Sequence, residues 1–347
     1  MARLLLRHFG QTLLTTWLLA SAVFLLSRAG GEQAVQLALG PSAELSAPVV
    51  SQAEALARRA AMRHRLGLDQ PLFYIGRSAP GAWRWHGWHN QYHQWLRALV
   101  HGNMGTSFRS GEPVSQRLAQ ALAFTLPLTG TAAVLAALAA VALATGLAAA
   151  PRWQKPLRAA LVGVHSVPLF VIALGLLLLF ANPELLNWFP AFGLAPDSGA
   201  GMPSRFLHAL PRLVLPVAAL VLAAVPELTL QLDTALAHEL RQPYILTARA
   251  KGLRASAVVR RHALRNALLP TLAQLAELLP AMVAGAVVVE AVFALPGMGR
   301  LLAEAATTRD YPLLVGGVLL VGMARLLSLL IADLSYSRAD PRIRWKA

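Results

Sequence analysis

The chain has 347 residues, 56% of them hydrophobic and 14% charged, with a mean hydropathy of +0.53, a formal net charge of +15 and no cysteine. That much apolar sequence exceeds what one soluble core can bury, which excludes a soluble globule, and the absence of cysteine excludes disulfides, thiolate catalysis and cysteine-ligated metal. The basic excess has two readings, nucleic acid or cytoplasmic membrane loops; with no nucleic-acid module and no interleaving of aromatic and basic residues, the second is preferred and no nucleic-acid partner is expected.

Six candidate spans follow in chain order: Phe9–Ser27, Leu122–Ala150, Leu157–Ala181, Leu210–Leu232, Leu268–Phe293 and Pro312–Leu334. Residues 118–151 hold 34 positions without a charge and residues 159–183 hold 25. At about 1.5 Å per residue each span can cross a hydrocarbon core of about 30 Å. The expectation is an all-α polytopic membrane protein in the lipid bilayer, with one transmembrane domain over 1–347. The first span begins basic and ends at Ser27-Arg28-Ala29, like a signal peptide with its cleavage site, but its 19-residue charge-free run favours a retained helix.

Charge sets the orientation. With the N-terminus inside, the short cytoplasmic segments 1–8, 151–156, 233–267 and 335–347 carry Arg3, Arg7, Arg152, Lys155, a dense basic group in the third, and Arg338, Arg342, Arg344 and Lys346. The short outer loops hold only Arg205, Arg300 and Arg309. Both termini are therefore placed in the cytoplasm. The first extracytoplasmic loop, about 28–121, is too long to obey that rule. Within it, Ala43–Leu68 is helical in composition, Trp83–Trp95 is rich in Trp and His, and "GNMGTSFRSGEPV" marks turns.

The basic group occupies "YILTARAKGLRASAVVRRHALRNALLP", Tyr244–Pro270, which contains no acid. Arg249, Lys251, Arg254, Arg260, Arg261 and Arg265 lie in it, with Arg241 just upstream. Gly252 separates a short helix from a longer one, a bend. A short charged helix of this kind suits a groove on a soluble partner; it also suits plain contact with lipid headgroups.

Three further features concern ionisable groups. Glu277 and Arg325 each fall nine residues from the cytoplasmic end of their spans, roughly 13 Å deep, where charges usually pair or line a water-filled cavity. His165, within the third span, reads as packed or hydrogen-bonded. His86, His89 and His93 in "HGWHNQYH" have i, i+3, i+7 spacing, so one helical face can present all three to zinc or nickel. With no carboxylate or cysteine nearby and four Trp interleaved, an interfacial or partner-docking surface is the preferred reading and no metal is assigned. Pro216, Pro226, Pro270 and Pro280 interrupt spans four and five, as suits moving helices.

The basic stretch resembles the cytoplasmic loop of ABC-importer permeases, in the form found in the dipeptide, oligopeptide and nickel group. Five other pieces match that group in order: "RLGLDQPL", "GNMGTSFRSGEPV", "VVVEAVFALPGMGRLL", "RDYPLL" and "DPRIR". In the general pattern Glu-Ala-Ala precedes the glycine; here Leu246, Thr247 and Ala248 hold those places, with Gly252 matching and Leu269-Pro270 coming later, as in this subgroup. The insert "FYIGRSAPGAWRWHGWHN" has no place in the pattern.

The resemblance implies a permease of the bacterial inner membrane, importing a peptide-like solute or, as an alternative, nickel or a metal chelate. It implies that Thr247, Ala248, Arg249, Ala250, Lys251, Gly252 and Leu253 form a coupling helix docked on a cytoplasmic ATP-binding subunit. The expected partners are a second homologous permease subunit, two ATP-binding subunits and an extracytoplasmic solute-binding protein. This chain has no GxxxxGK[ST] loop, so ATP and Mg are expected on partner subunits, with no cofactor and no enzyme activity here. An ion-coupled secondary transporter would show inverted repeats, and a membrane enzyme a catalytic cluster; neither is visible.

Overall fold

The computed structural model describes residues 2–29, 52–65, 69–78, 82–149, 151–190, 202–268, 283 and 286–339. Its elements are α1 (Ala2–Ala29), α2 (Gln52–Arg65), the hairpin strands β1 (Ile75–Ser78) and β2 (Ala82–Trp85), α3 (Gln91–Val100), α4 (Val114–Ala149), α5 (Pro151–His165), α6 (Leu169–Phe180), α7 (Met202–Glu239), α8 (Pro243–Ala250), α9 (Ala255–Val258), α10 (Met298–Thr307) and α11 (Tyr311–Ala339). A π turn, Val259–Ala263, follows α9, and the backbone is helical again at 264–268 and 286–292.

Among the described residues two helices, Val114–Ala149 and Leu210–Glu239, are long and apolar enough to cross a bilayer. The third expected span differs from its reading as one helix over 157–181. It is a pair, α5 and α6, bent by 96°. Pro168 causes the break: it has no N–H to donate, it holds an extended ψ of 141°, and it keeps the residue before it out of the α region. Helices also overrun the expected boundaries. α7 continues to Glu239 and α4 starts at Val114, because a helix keeps its backbone bonds beyond the apolar run that marks the hydrocarbon core. The first and sixth expected spans lie within α1 and α11. Most of the fifth, 269–282, lies outside the described residues.

The chain divides into two compact units. The first comprises Met1–Phe9, Ala121–Arg300 and Ala324–Ala347. Its core is built on small residues: Ala132, Ala136, Ala140 and Ala144 repeat every fourth position along α4 and are buried. Such a stripe lets neighbouring helices approach closely. Ala173 of α6 and Leu215, Ala219, Leu220 and Leu228 of α7 join this core, and α5 and α6 both pack on α7. Large apolar side chains elsewhere on these helices, Leu135, Leu138, Leu174, Leu178 and Leu222, are exposed. In water such surfaces would drive association; in a bilayer they meet lipid or neighbouring helices.

The second unit comprises Gly10–Gln120 and Leu301–Met323. Ala20 and Phe24 of α1, Tyr92 of α3, and Val315 and Leu319 of α11 form its core, with Leu72, Tyr74, Trp95, Leu96 and Leu99 around them. α11 approaches through glycine: a Cβ at Gly322 would lie 2.5 Å from the Thr16 methyl, and one at Gly316 2.7 Å from Val114. The antiparallel hairpin pairs Ile75 with Trp85 and Arg77 with Trp83, and the His86 N–H donates to the Tyr74 carbonyl (2.8 Å).

Candidate coupling and anchoring sites

The basic segment is a two-faced module. Pro243 opens α8, where a missing N–H costs nothing. One face, Ile245 and Ala248, is buried against Ala144, Leu232 and Leu236, together with Val258, Val259, Ala263 and Ala267 from the following helix. The other face is exposed: Leu246 (65%), Thr247, Arg249 and Ala250, continuing into Lys251 and Gly252, with Leu253 half-buried. Gly252 turns the chain with φ +77°, in the region only glycine enters without strain. Arg241, Arg254, Arg260, Arg261 and Arg265 are exposed as well. All seven basic side chains therefore lie outside a buried apolar seam. Tyr244 fastens the module: its hydroxyl donates to the Glu239 carboxylate (2.5 Å) and accepts from the Asn266 amide (3.1 Å). Burial, and then the Glu239 carboxylate, raise the phenol above its ordinary value, so it stays a donor.

Two fully buried acids anchor loops at the ends of helices. The helix over 286–292 ends with Ala294 at φ 52°, and the Leu295 N–H donates back to the Glu290 carbonyl (2.8 Å), a Schellman closure. The Glu290 carboxylate accepts the Thr125 hydroxyl (2.6 Å) and the N–H groups of Gly299 (2.8 Å) and Arg300 (3.1 Å). Thr125 in turn accepts the Met298 N–H (2.8 Å). The carboxylate thus caps the first turn of α10, where free N–H groups and the helix dipole favour an anion. Gly297 has to be small, because a Cβ there would strike the Glu290 carboxyl group; one at Gly299 would strike Val287.

The second unit repeats the device. Arg309 has φ 54°, and the Asp310 N–H donates to the Ala305 carbonyl (2.8 Å). The Asp310 carboxylate accepts the Ser107 hydroxyl and the Phe108 N–H (3.1 Å). In this way the "RDYPLL" piece grips the turn of "GNMGTSFRSGEPV", which is itself closed by Ser107 N–H to Glu112 O (2.9 Å) and Val114 N–H to Gly105 O (3.0 Å). Neither acid stands out in the sequence as an anchor. The available signal was a lone acid inside an apolar run that closes on Leu295-Pro296-Gly297, or one directly before a helix.

The other expected sites fare differently. Glu277 lies outside the described residues, and Arg325 is exposed on α11. His165 is exposed at the α5–α6 break. The three histidines do not share a helical face. His86 and His89 flank a turn in which Gly87 has φ 64°, α3 begins only at Gln91, and His93 meets the Tyr74 hydroxyl (3.1 Å). The i, i+3, i+7 argument assumed a helix that the glycine turn interrupts. Among the described residues no group of three His, Cys, Asp or Glu is placed to hold a metal. Arg158 and buried Asp233 form an ion pair at 2.7 Å, joining α5 to α7, that sequence reasoning did not find. Glu227 on α7 is exposed within an apolar helix.

An apolar helical chain with helices long enough to cross a bilayer defines the class, a membrane protein. The family profile described as binding-protein-dependent transport system inner membrane component matches residues 133–345. The oligopeptide transport system permease protein AppB of Bacillus subtilis (strain 168) is 33% identical over 259 residues, covering 74% of this chain and 80% of its own. The di/tripeptide transport system permease protein DppB of Pseudomonas aeruginosa (strain UCBPP-PA14) is 34% identical over 301 residues, 81% of this chain and 83% of its own. A chain of Brucella abortus (strain 2308) bearing a peptide transport system permease name is 33% identical over 352 residues, 99% of this chain and 100% of its own. The protein belongs to the family of binding-protein-dependent transport system inner membrane components, the permeases of ABC importers.

Proposed function

We propose that this chain is the permease subunit through which an ATP-driven importer passes peptides across the bacterial inner membrane. The two named relatives that carry oligopeptides and di/tripeptides support a peptide cargo; no observation favours nickel, whose histidine site would have needed the helix that the Gly87 turn interrupts. The chain crosses the membrane six times, with both termini and the α7–α9 region in the cytoplasm. It works beside a second homologous permease and two ATP-binding subunits, which hold ATP and Mg and carry out hydrolysis. An extracytoplasmic binding protein delivers the solute. Glu277 and Arg325 are an intramembrane pair near the pathway.

The observation that carries the coupling role is the split of α8 into a buried seam and an exposed apolar-basic face. Residues Thr247–Leu253 with Leu246 form the docking surface, and the buried Ile245 and Ala248 transmit its movement into α4 and α7. A change such as Ala248→Asp would wreck the chain's own core, so it cannot test docking. The chain's lack of cysteine gives a better test. In the assembled importer, Leu246→Cys should cross-link to a cysteine in the ATP-binding subunit's cleft, with a yield that changes with nucleotide, whereas Ile245→Cys should not. Equal, nucleotide-independent yields at both positions would reject α8 as the coupling element.

A further inference from the structure

The hairpin insert exposes Trp83 (77%), Trp85 (62%) and Trp88 (66%), a dense apolar surface whose covering the transport cycle leaves unexplained. Ring contacts fix its level. Trp85 stacks on Tyr74 at 5.8 Å, and Trp88 meets the same ring edge-on at 6.1 Å. Tyr74 meets Tyr92 at 6.1 Å, and Tyr92 meets Phe24 of α1 at 5.7 Å. Trp95 stacks on Phe24 at 4.7 Å, and the Tyr92 hydroxyl is bonded to Ser21 Oγ at 2.8 Å. Trp85 and Trp88 are therefore one ring removed from Tyr92, which is itself bound to the side of α1, and Trp83 lies two residues along the same strand.

Arg28 marks the outer end of that span, and its guanidinium lies 5.4 Å from the Phe24 ring centroid. Along the axis Phe24 and Ser21 lie about 6 and 10 Å below Arg28. That is the zone where the headgroup layer meets the hydrocarbon. Trp and Tyr concentrate there because an indole or phenol has an apolar body and a polar handle. The hairpin matches this chemistry: period-two alternation puts Trp83 and Trp85 on one face of β2 and exposed Arg84 on the other. Ile75, paired with Trp85 across the hairpin, adds exposed apolar surface.

We propose that the β1–β2 hairpin and Trp88 lie in the outer membrane–water interface, with Trp83, Trp85 and Trp88 buried among lipid headgroups, as a lateral anchor for the outer end of α1. The occupant is a phospholipid surface rather than the solute-binding protein. The histidines have a structural part in this arrangement: His93 orients Tyr74, and the His86 ring covers Gly76 so closely that a Cβ there would collide with it.

The proposal rests on α1 being a span with Arg28 at its outer end, and the test separates the two. Single cysteines at Trp83, Trp88, Leu14 and Arg109 are introduced into the cysteine-free chain and spin-labelled. The complete importer is reconstituted in nanodiscs of phosphatidylethanolamine and phosphatidylglycerol. Accessibility to oxygen and to a water-soluble nickel chelate is then read at each label. Labels at Trp83 and Trp88 should show an oxygen-to-nickel ratio several-fold above that at Arg109, and shallower than Leu14. In unlabelled protein, shallow-brominated lipid should quench tryptophan emission, and W83F/W85F/W88F should remove that quenched component. Nickel access at Trp83 and Trp88 equal to Arg109, or shielding that appears only when the binding protein is added, would overturn the proposal. Water access at Leu14 would instead overturn the span on which it rests.

Discussion

At the scale of single residues, each buried acid holds donors that water cannot reach. Glu290 accepts one hydroxyl and two backbone N–H groups, and an unsatisfied buried donor costs about 1–3 kcal/mol. Glu290→Ala should therefore lower stability by about 3 kcal/mol or more, with Glu290→Gln between it and wild type. Thermal unfolding in detergent checks the order, and equal melting of all three would remove the anchor. Ala294 is the converse case. Its φ of 52° costs an alanine about 1 kcal/mol that glycine escapes. Ala294→Gly should raise the melting temperature, whereas Gly297→Ala should lower it by driving a methyl into Glu290. Little of this was legible from the sequence. A glycine would have announced the left-handed residue, but alanine and arginine occupy the two positions, so local composition gave no sign of either closure.

At the scale of elements, the basic segment was well marked in the sequence: an acid-free run, one glycine and exposed charge all survive in the fold. What could not be read was which apolar residues face inward, because a helix of eight residues is too short for periodicity to fix its phase. The bend at Gly252 makes a graded prediction. Nothing lies within 4 Å of a Cβ there, so only the backbone angle discriminates among substitutions. Asn, which tolerates left-handed geometry, should keep peptide uptake near wild type; Ala should lose about 1 kcal/mol of local stability, and Val should lose most uptake. Uptake that follows side-chain volume rather than left-handed tolerance would mean that the site is a crowded contact instead of a bend. The third expected span shows a comparable detail: counting apolar residues gave no sign that Pro168, with its missing donor, splits the helix into two.

For the whole molecule, charge-free length pointed to apolar helices, and among the described residues Val114–Ala149 and Leu210–Glu239 are long and apolar enough to cross a bilayer; the rule works without tertiary knowledge because hydrocarbon penalises every ionised group alike. Orientation is argued from Arg and Lys alone. Reporters fused after Lys155 or Arg254 should read cytoplasmic, and those near Gly81 or Ser198 external; an external reading at Arg254 would remove the coupling proposal too. Charge pairing across spans five and six is tested by a mutant cycle. Glu277→Gln and Arg325→Gln should each lower stability, by about 3–5 kcal/mol for a well-buried pair and less where water reaches it, and the double variant should recover much of the loss. Additive losses would show that the two residues do not meet.

The long reach of the two acid anchors bears on how the chain is made. Thr125 precedes Glu290 by 165 residues, and Ser107 precedes Asp310 by 203. In both cases the hydroxyl leaves the ribosome first and the carboxylate arrives last. Each acid therefore emerges after its receptor already exists, and the early half of the chain serves as a template for the late half. A stalled or truncated chain would leave serine and threonine waiting, which is inexpensive; the reverse order would have left carboxylates without the donors that satisfy them once buried, which is not.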